Sequence, residues 1–153
     1  MSDELYHADV LVWSERQAER LRRVAHGERV NDVDWEHVIE EIEDVGLSEL
    51  NAVRSHLRLM LVHLLKLHGW PQSPAREHWR GEIRNFQAEA LQRYTPSMRE
   101  RIALPELYRI ACRQLSGMRY DGMDPTAFPA QCPLSLDDLL MADPAGLESG
   151  FSA

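Results

Sequence analysis

The run from 50 to 67 constrains the fold more than any other part of the chain. Leu50, Val53, Leu57, Leu61 and Leu64 recur at helical spacing, and Leu59, Met60, Val62, Leu65 and Leu67 carry apolar surface around most of the remaining circumference. A helix apolar on most sides must be enclosed by others, so this run predicts the central rod of a bundle. It falls short of the ~20 apolar residues a bilayer requires, and Arg58, His63 and Lys66 interrupt it. No segment alternates with the period of a strand. The expected fold is therefore all-α: a single-domain helical bundle of about five main helices, for which 153 residues supply enough chain to bury a core.

The flanking sequence supplies the rod's neighbours. A helix is expected within 9–26, with Val10, Trp13, Leu21 and Val24 on one face and Gly27 as its stop. The next begins at Asp34, whose carboxylate suits a cap, with Val33 and Val38 placed as a hydrophobic staple. Trp35, Val38, Ile39, Ile42 and Val45 form its predicted buried stripe. Gly46 leaves open whether that helix breaks or runs on into the rod, since an interior Gly costs only ~1 kcal/mol relative to Ala. The rod should stop near Gly69, ahead of Trp70-Pro71. A helix follows with Trp79, Ile83, Phe86 and Ala90 inward, then a short turn capped by Ser97. Another begins at Pro105 with Leu107, Ile110, Ala111, Leu115 and Met118 inward. Trp13, Trp35 and Trp79 read as core anchors.

From Gly122 onward the chain holds four of its eight prolines and no Lys or Arg. This predicts a Pro-rich strap across the outside of the bundle, anchored by Phe128. Ser135 and Asp138 then resemble a capping box, with Leu134 and Leu139 as a staple, so a short terminal helix through Met141 is expected. Residues 142–153 read as an acidic flexible tail.

Charge narrows the partners. The 25 acids outweigh 17 Lys and Arg for a net −8, whereas a nucleic-acid binder normally presents a basic field to phosphates. Nucleic acid and membrane are accordingly not expected. The opening Met1-Ser2-Asp3-Glu4 lacks the basic flank and apolar stretch of a secretory signal, and Cys112 and Cys132 have no ligand-like spacing. A cytoplasmic protein with reduced thiols is expected on that basis.

One residue stands out chemically. Lys66 is the sole lysine beside sixteen arginines, and it lies in the most apolar helix. His63 is one turn earlier on a neighbouring line. Glu41 or Glu43 is expected to reach this pair, forming a partly buried polar cluster between the acidic and central helices. Glu41, Glu43, His63 and Lys66 are thus the candidate polar cluster, weighed against a Lys66 that lays its methylenes on the core and extends its charge into water. A second candidate is the row Arg76, Arg80 and Arg84, as an anion or partner surface or as the complement of acids such as Glu40 and Asp44. Metal ligation fits less well. His56 and His63 are ~10.5 Å apart along a helix, and His37 with Glu41 sits at an acidic helix start. No metal or cofactor is assigned, and neither a phosphate-cradling glycine loop nor a glycine-bracketed serine is present.

Taken in order, Leu21-Arg22, Asp34-Trp35, Glu40-Glu41-Ile42-Glu43 with Gly46, His63-Leu64-Leu65-Lys66, Trp79 with Ile83, Ser97, Tyr108, Phe128-Pro129 and Cys132-Pro133 resemble the bacterial domain-of-unknown-function family 29 over about residues 6 to 141. Where members often place an aromatic directly after the Lys, this chain has Leu67-His68-Gly69-Trp70. The resemblance implies a compact helical protein and carries over no catalytic residues. Without catalytic signatures, the expected function is a noncatalytic protein-interaction or regulatory module engaging an unidentified protein partner or a second copy of itself. The alternative is a metal-dependent or polar-pocket enzyme built on the Glu41, Glu43, His63 and Lys66 cluster.

Overall fold

Short helices flank one long one. The computed structural model describes residues 2–152, in which α1 is Ser2–Ala8, α2 is Val10–Ala25, α3 is Trp35–Gly69, α4 is Arg76–Arg93, α5 is Leu104–Leu115, α6 is Leu136–Met141 and α7 is Pro144–Ser152. A 3₁₀ turn at Pro96–Arg101 precedes α5. Among the described residues the only β pairing is an isolated bridge between Tyr120 and Met123. Packing divides the chain into two compact units, one reaching to Ser48 and one beginning at Glu49.

In the first unit, Asp9 accepts the Val12 amide at 3.1 Å and caps α2, and Gly27 adopts φ +86° just beyond its end. Trp13, Val33 and Val38 form the small core, with Leu5, Tyr6, Leu21, Val24 and Val30 packed around it. The Val33–Val38 staple is thus in place, whereas Val10 stays exposed. Gly46 does not interrupt α3, which runs for 35 residues.

The second unit is built on the C-terminal half of α3. Val53, Leu57, Met60, Leu61 and Leu65 are wholly buried, Leu50, Val62, Leu64 and Leu67 nearly so, and the predicted rod is the core. Trp79, Ile83 and Ala90 of α4 and Leu107, Ala111 and Leu115 of α5 pack in the same cluster. Ile110 and Met118, expected inward, remain over a third exposed, and Tyr108 takes an interior place. Thr95, rather than Ser97, precedes the 3₁₀ turn, because Pro96 suits its first position.

The strap crosses the end of α3 at Gly69. A Cβ there would lie 2.9 Å from Phe128 Cε1 and 3.0 Å from Pro125 Cβ, so glycine permits the close approach. The Thr126 amide donates to the Gly69 carbonyl at 2.8 Å, Trp70 Nε1 to the Met123 carbonyl at 2.8 Å, and the Tyr108 hydroxyl to the Pro129 carbonyl at 2.5 Å. Ser135 and Asp138 form the predicted capping box of α6, with Leu134 and Leu139 buried. The expected flexible tail is corrected: the chain continues into α7, whose Leu147 and Phe151 join the core. Asp143 starts that helix by accepting the Gly146 amide at 2.7 Å, and Pro144 suits its first turn.

Candidate functional site

The first unit presents a braced helix start beside an uncovered apolar face. The Asp34 carboxylate accepts from Trp13 Nε1 at 2.9 Å and from His37 Nδ1 at 2.8 Å, while the Asp34 amide donates to Gln17 Oε1 at 2.9 Å. Burial alone would push this carboxyl up. The Trp13 and His37 hydrogen bonds, with the charge and backbone amide of His37, outweigh that and hold it below the usual range. Tyr6 stacks on the His37 ring at 4.0 Å between centroids and donates its hydroxyl to Glu41 Oε1 at 2.7 Å. That hydrogen bond, then partial burial and the neighbouring acids, push the phenol up to about 12, so it stays protonated at neutral pH. These contacts fix the first turns of α3 against α1 and α2.

They cover only one side of α3. Val38 is buried, but Trp35 is 51% exposed, Ile39 52%, Ile42 68% and Val45 68%, which corrects the predicted buried stripe and the core role of Trp35. At 100° per residue, Trp35, Ile39 and Ile42 lie within about 60° of one another, while Val38 and Glu41 lie toward the packed side. Periodicity identifies both faces as apolar, but the two short helices of this unit cover just one of them. Glu36 and Glu43 edge the open stripe, and Glu40 and Asp44 lie behind it, all exposed.

The candidate cluster does not assemble as predicted. Because residues 35–69 form one uninterrupted helix, Glu41 and His63 lie on successive lengths of it and not on two separate helices. Glu41 bonds Tyr6, and Glu43 is exposed. Lys66 has its ammonium 5.8 Å from the Trp79 ring centre and 5.6 Å from that of Tyr120, with no carboxylate at ion-pair distance among the described residues. His63 donates Nδ1–H to the Leu59 carbonyl at 2.7 Å and lies 5.4 Å from the Phe86 ring. Burial lowers its pKa, and the charges of Lys66 and His78 add to that against the Leu59 hydrogen bond and Glu82.

Two of the three row arginines are engaged within the chain. Arg76 donates to Glu148 Oε1 at 2.6 Å and to the Leu67 carbonyl at 2.6 Å, and Arg80 holds Glu148 through two bonds of 2.9 Å while also contacting Glu77. The complement of this row is therefore α7, not the anticipated Glu40 and Asp44. Arg84 is exposed. The sequence signal for α7 is Asp143-Pro144 followed by Leu147 and Phe151 one turn apart. Among the described residues, no group of three or more His, Cys, Asp and Glu side chains is disposed to hold a metal, and no helix is long and apolar enough to cross a membrane.

A helical core, a strapped rod and one braced, partly uncovered helix define an all-α protein. The chain belongs to the family described as Domain of unknown function DUF29, whose model matches residues 5–143. It is also similar to a solved α-helical protein of unknown function from Rhodospirillum rubrum ATCC 11170, with 32% identity, a TM-score of 0.72, and coverage of 94% of this chain and 95% of that one. No curated protein matches.

Proposed function

We propose that the protein is a noncatalytic docking module whose first unit receives an amphipathic, basic-edged helix of a partner protein on the Trp35–Ile39–Ile42 face. The observation that carries this reading is the exposure of three large apolar side chains, Trp35, Ile39 and Ile42, at helical spacing on one side of α3, where their other neighbours would be water. A helix laid along such a face buries anchors at i, i+4 and i+7, the usual pattern of helix recognition. Charge selects the occupant. Two copies paired antiparallel along this stripe would set the Glu36–Glu43 edge against itself, whereas Lys and Arg flanks on a foreign helix would complement it. The Asp34 network contributes by holding the helix start in place before binding, which lowers the ordering cost.

The test uses synthetic helical peptides with one apolar stripe, flanked either by Lys and Arg or by Glu. The basic peptide should bind, salt should weaken it, and Ile42→Asp should reduce affinity on the order of tenfold or more. Ile42 is open to solvent, so that variant should fold normally. Equal binding of both peptides, or no binding of either, would overturn the reading. Concentration-dependent self-association abolished by Ile42→Asp would replace it with a homodimer.

A further inference from the structure

The first unit contains a groove that shares no residue with the Trp35–Ile39–Ile42 face. α2 contributes Trp13, Arg16, Gln17 and Arg20, which recur at helical spacing and so share one side of it. α1 adds Glu4, Leu5 and Ala8, and the chain ahead of α3 adds the stretch from Asn31 to Val33. The volume is about 770 Å³, within the range of sites that take small ligands.

One polar group is built into this groove. Gln17 is only 3% exposed, yet the fold uses half of its amide: Oε1 accepts from the Asp34 amide at 2.9 Å, while Nε2 has no acceptor among the described residues and is open to the groove. A nearly buried donor held in place by its other end is fitted to an acceptor that the fold itself does not provide. The charges divide in the same way. Arg20 is closed on Asp32 at 3.0 Å, and elsewhere on α2 Arg22 and Arg23 hold Glu19 and Glu28. Arg16, beside Gln17, and Glu4 on α1 are both exposed, and neither has an ion-pair partner among the described residues. The lining thus offers one unmatched cation and one unmatched anion, with no net charge.

We propose that this groove binds a short apolar peptide with both termini free, its carboxylate received by Arg16 and the Gln17 Nε2, its ammonium by Glu4, and its side chains by Leu5, Ala8 and Val33. A guanidinium next to an idle amide donor suits a carboxylate, and the remaining acid suits an amine. A ligand with charge of one sign would leave one of the two groups unmatched. Apolar side chains gain by covering the aliphatic part of the lining.

Dileucine and trileucine, titrated into the full-length protein, test this by calorimetry and by the Gln17 side-chain amide resonance. At least one of them should bind and shift that resonance. N-acetylation or C-terminal amidation of the peptide should each weaken binding about two- to fivefold, as expected for one exposed charge pair. Arg16→Gln should cost the free peptide a similar factor and the amidated peptide nothing. Glu4→Gln should weaken the free peptide but not the acetylated one, so each substitution identifies the terminus it meets. Both positions are exposed, so these variants should fold normally. Ile42→Asp should leave peptide binding unchanged, which separates this groove from the α3 face. Failure of both peptides to bind, an unmoved Gln17 resonance, or a doubly blocked peptide that binds as well as the free one would overturn the proposal.

Discussion

Asp34 shows how much one side chain organises. Its carboxylate joins α2 to α3 through Trp13 and His37, with its side chain only 8% exposed. Asp34→Ala should destabilise the first unit by about 1–3 kcal/mol, because two buried donors lose their acceptor; urea unfolding followed by Trp13 fluorescence measures it. The pH dependence has a definite sign. The folded carboxyl titrates below the unfolded value of about 3.9, so its contribution is complete above that value and disappears as pH falls through the folded pKa. The wild-type first unit should therefore lose stability in that acid window, and Asp34→Ala should flatten the loss. The capping role of Asp34 was readable in the sequence, since a cap needs only local spacing. The partners of Lys66 were not: an ammonium can be matched by carboxylate, water or aromatic ring, and only the fold brought Trp79 and Tyr120 to it.

At the level of elements, local signals succeeded and coverage failed. The α6 capping box and the Val33–Val38 staple depend on residues three to five apart, and both are present. Hydrophobic spacing places the α3 stripe in the interior, because it reports a face without reporting whether anything covers it. The last helix is hidden in the sequence for the opposite reason: its stretch is acidic and contains Gly, and only the fold brings Leu147, Phe151 and Glu148 to the body of the second unit. Leu147 is fully buried, so Leu147→Ala should cost about 2–5 kcal/mol in chemical denaturation. A loss near zero would mean that α7 is not held in the core. Glu148→Gln should be milder, because the two guanidinium groups keep an oxygen acceptor and are partly exposed.

Over the whole molecule, stability should be uneven. The first unit has three buried apolar residues at its centre, whereas the second is assembled around an apolar rod with helices and strap packed on it. Hydrogen exchange should release the amides of α1 and α2 well before those of α3 beyond Leu50, and a single exchange class across both units would contradict this. Gly46 permitted either a broken or a continuous helix from sequence alone. Its continuity also explains why the candidate polar cluster does not form: two stretches treated as facing partners are successive lengths of one element. Finally, positive charge across the described surface is almost wholly guanidinium, since the only lysine is half-buried against two aromatic rings. Acylating reagents that consume side-chain amines would therefore leave the electrostatic character of this surface nearly untouched, while dicarbonyl reagents selective for arginine would rewrite it.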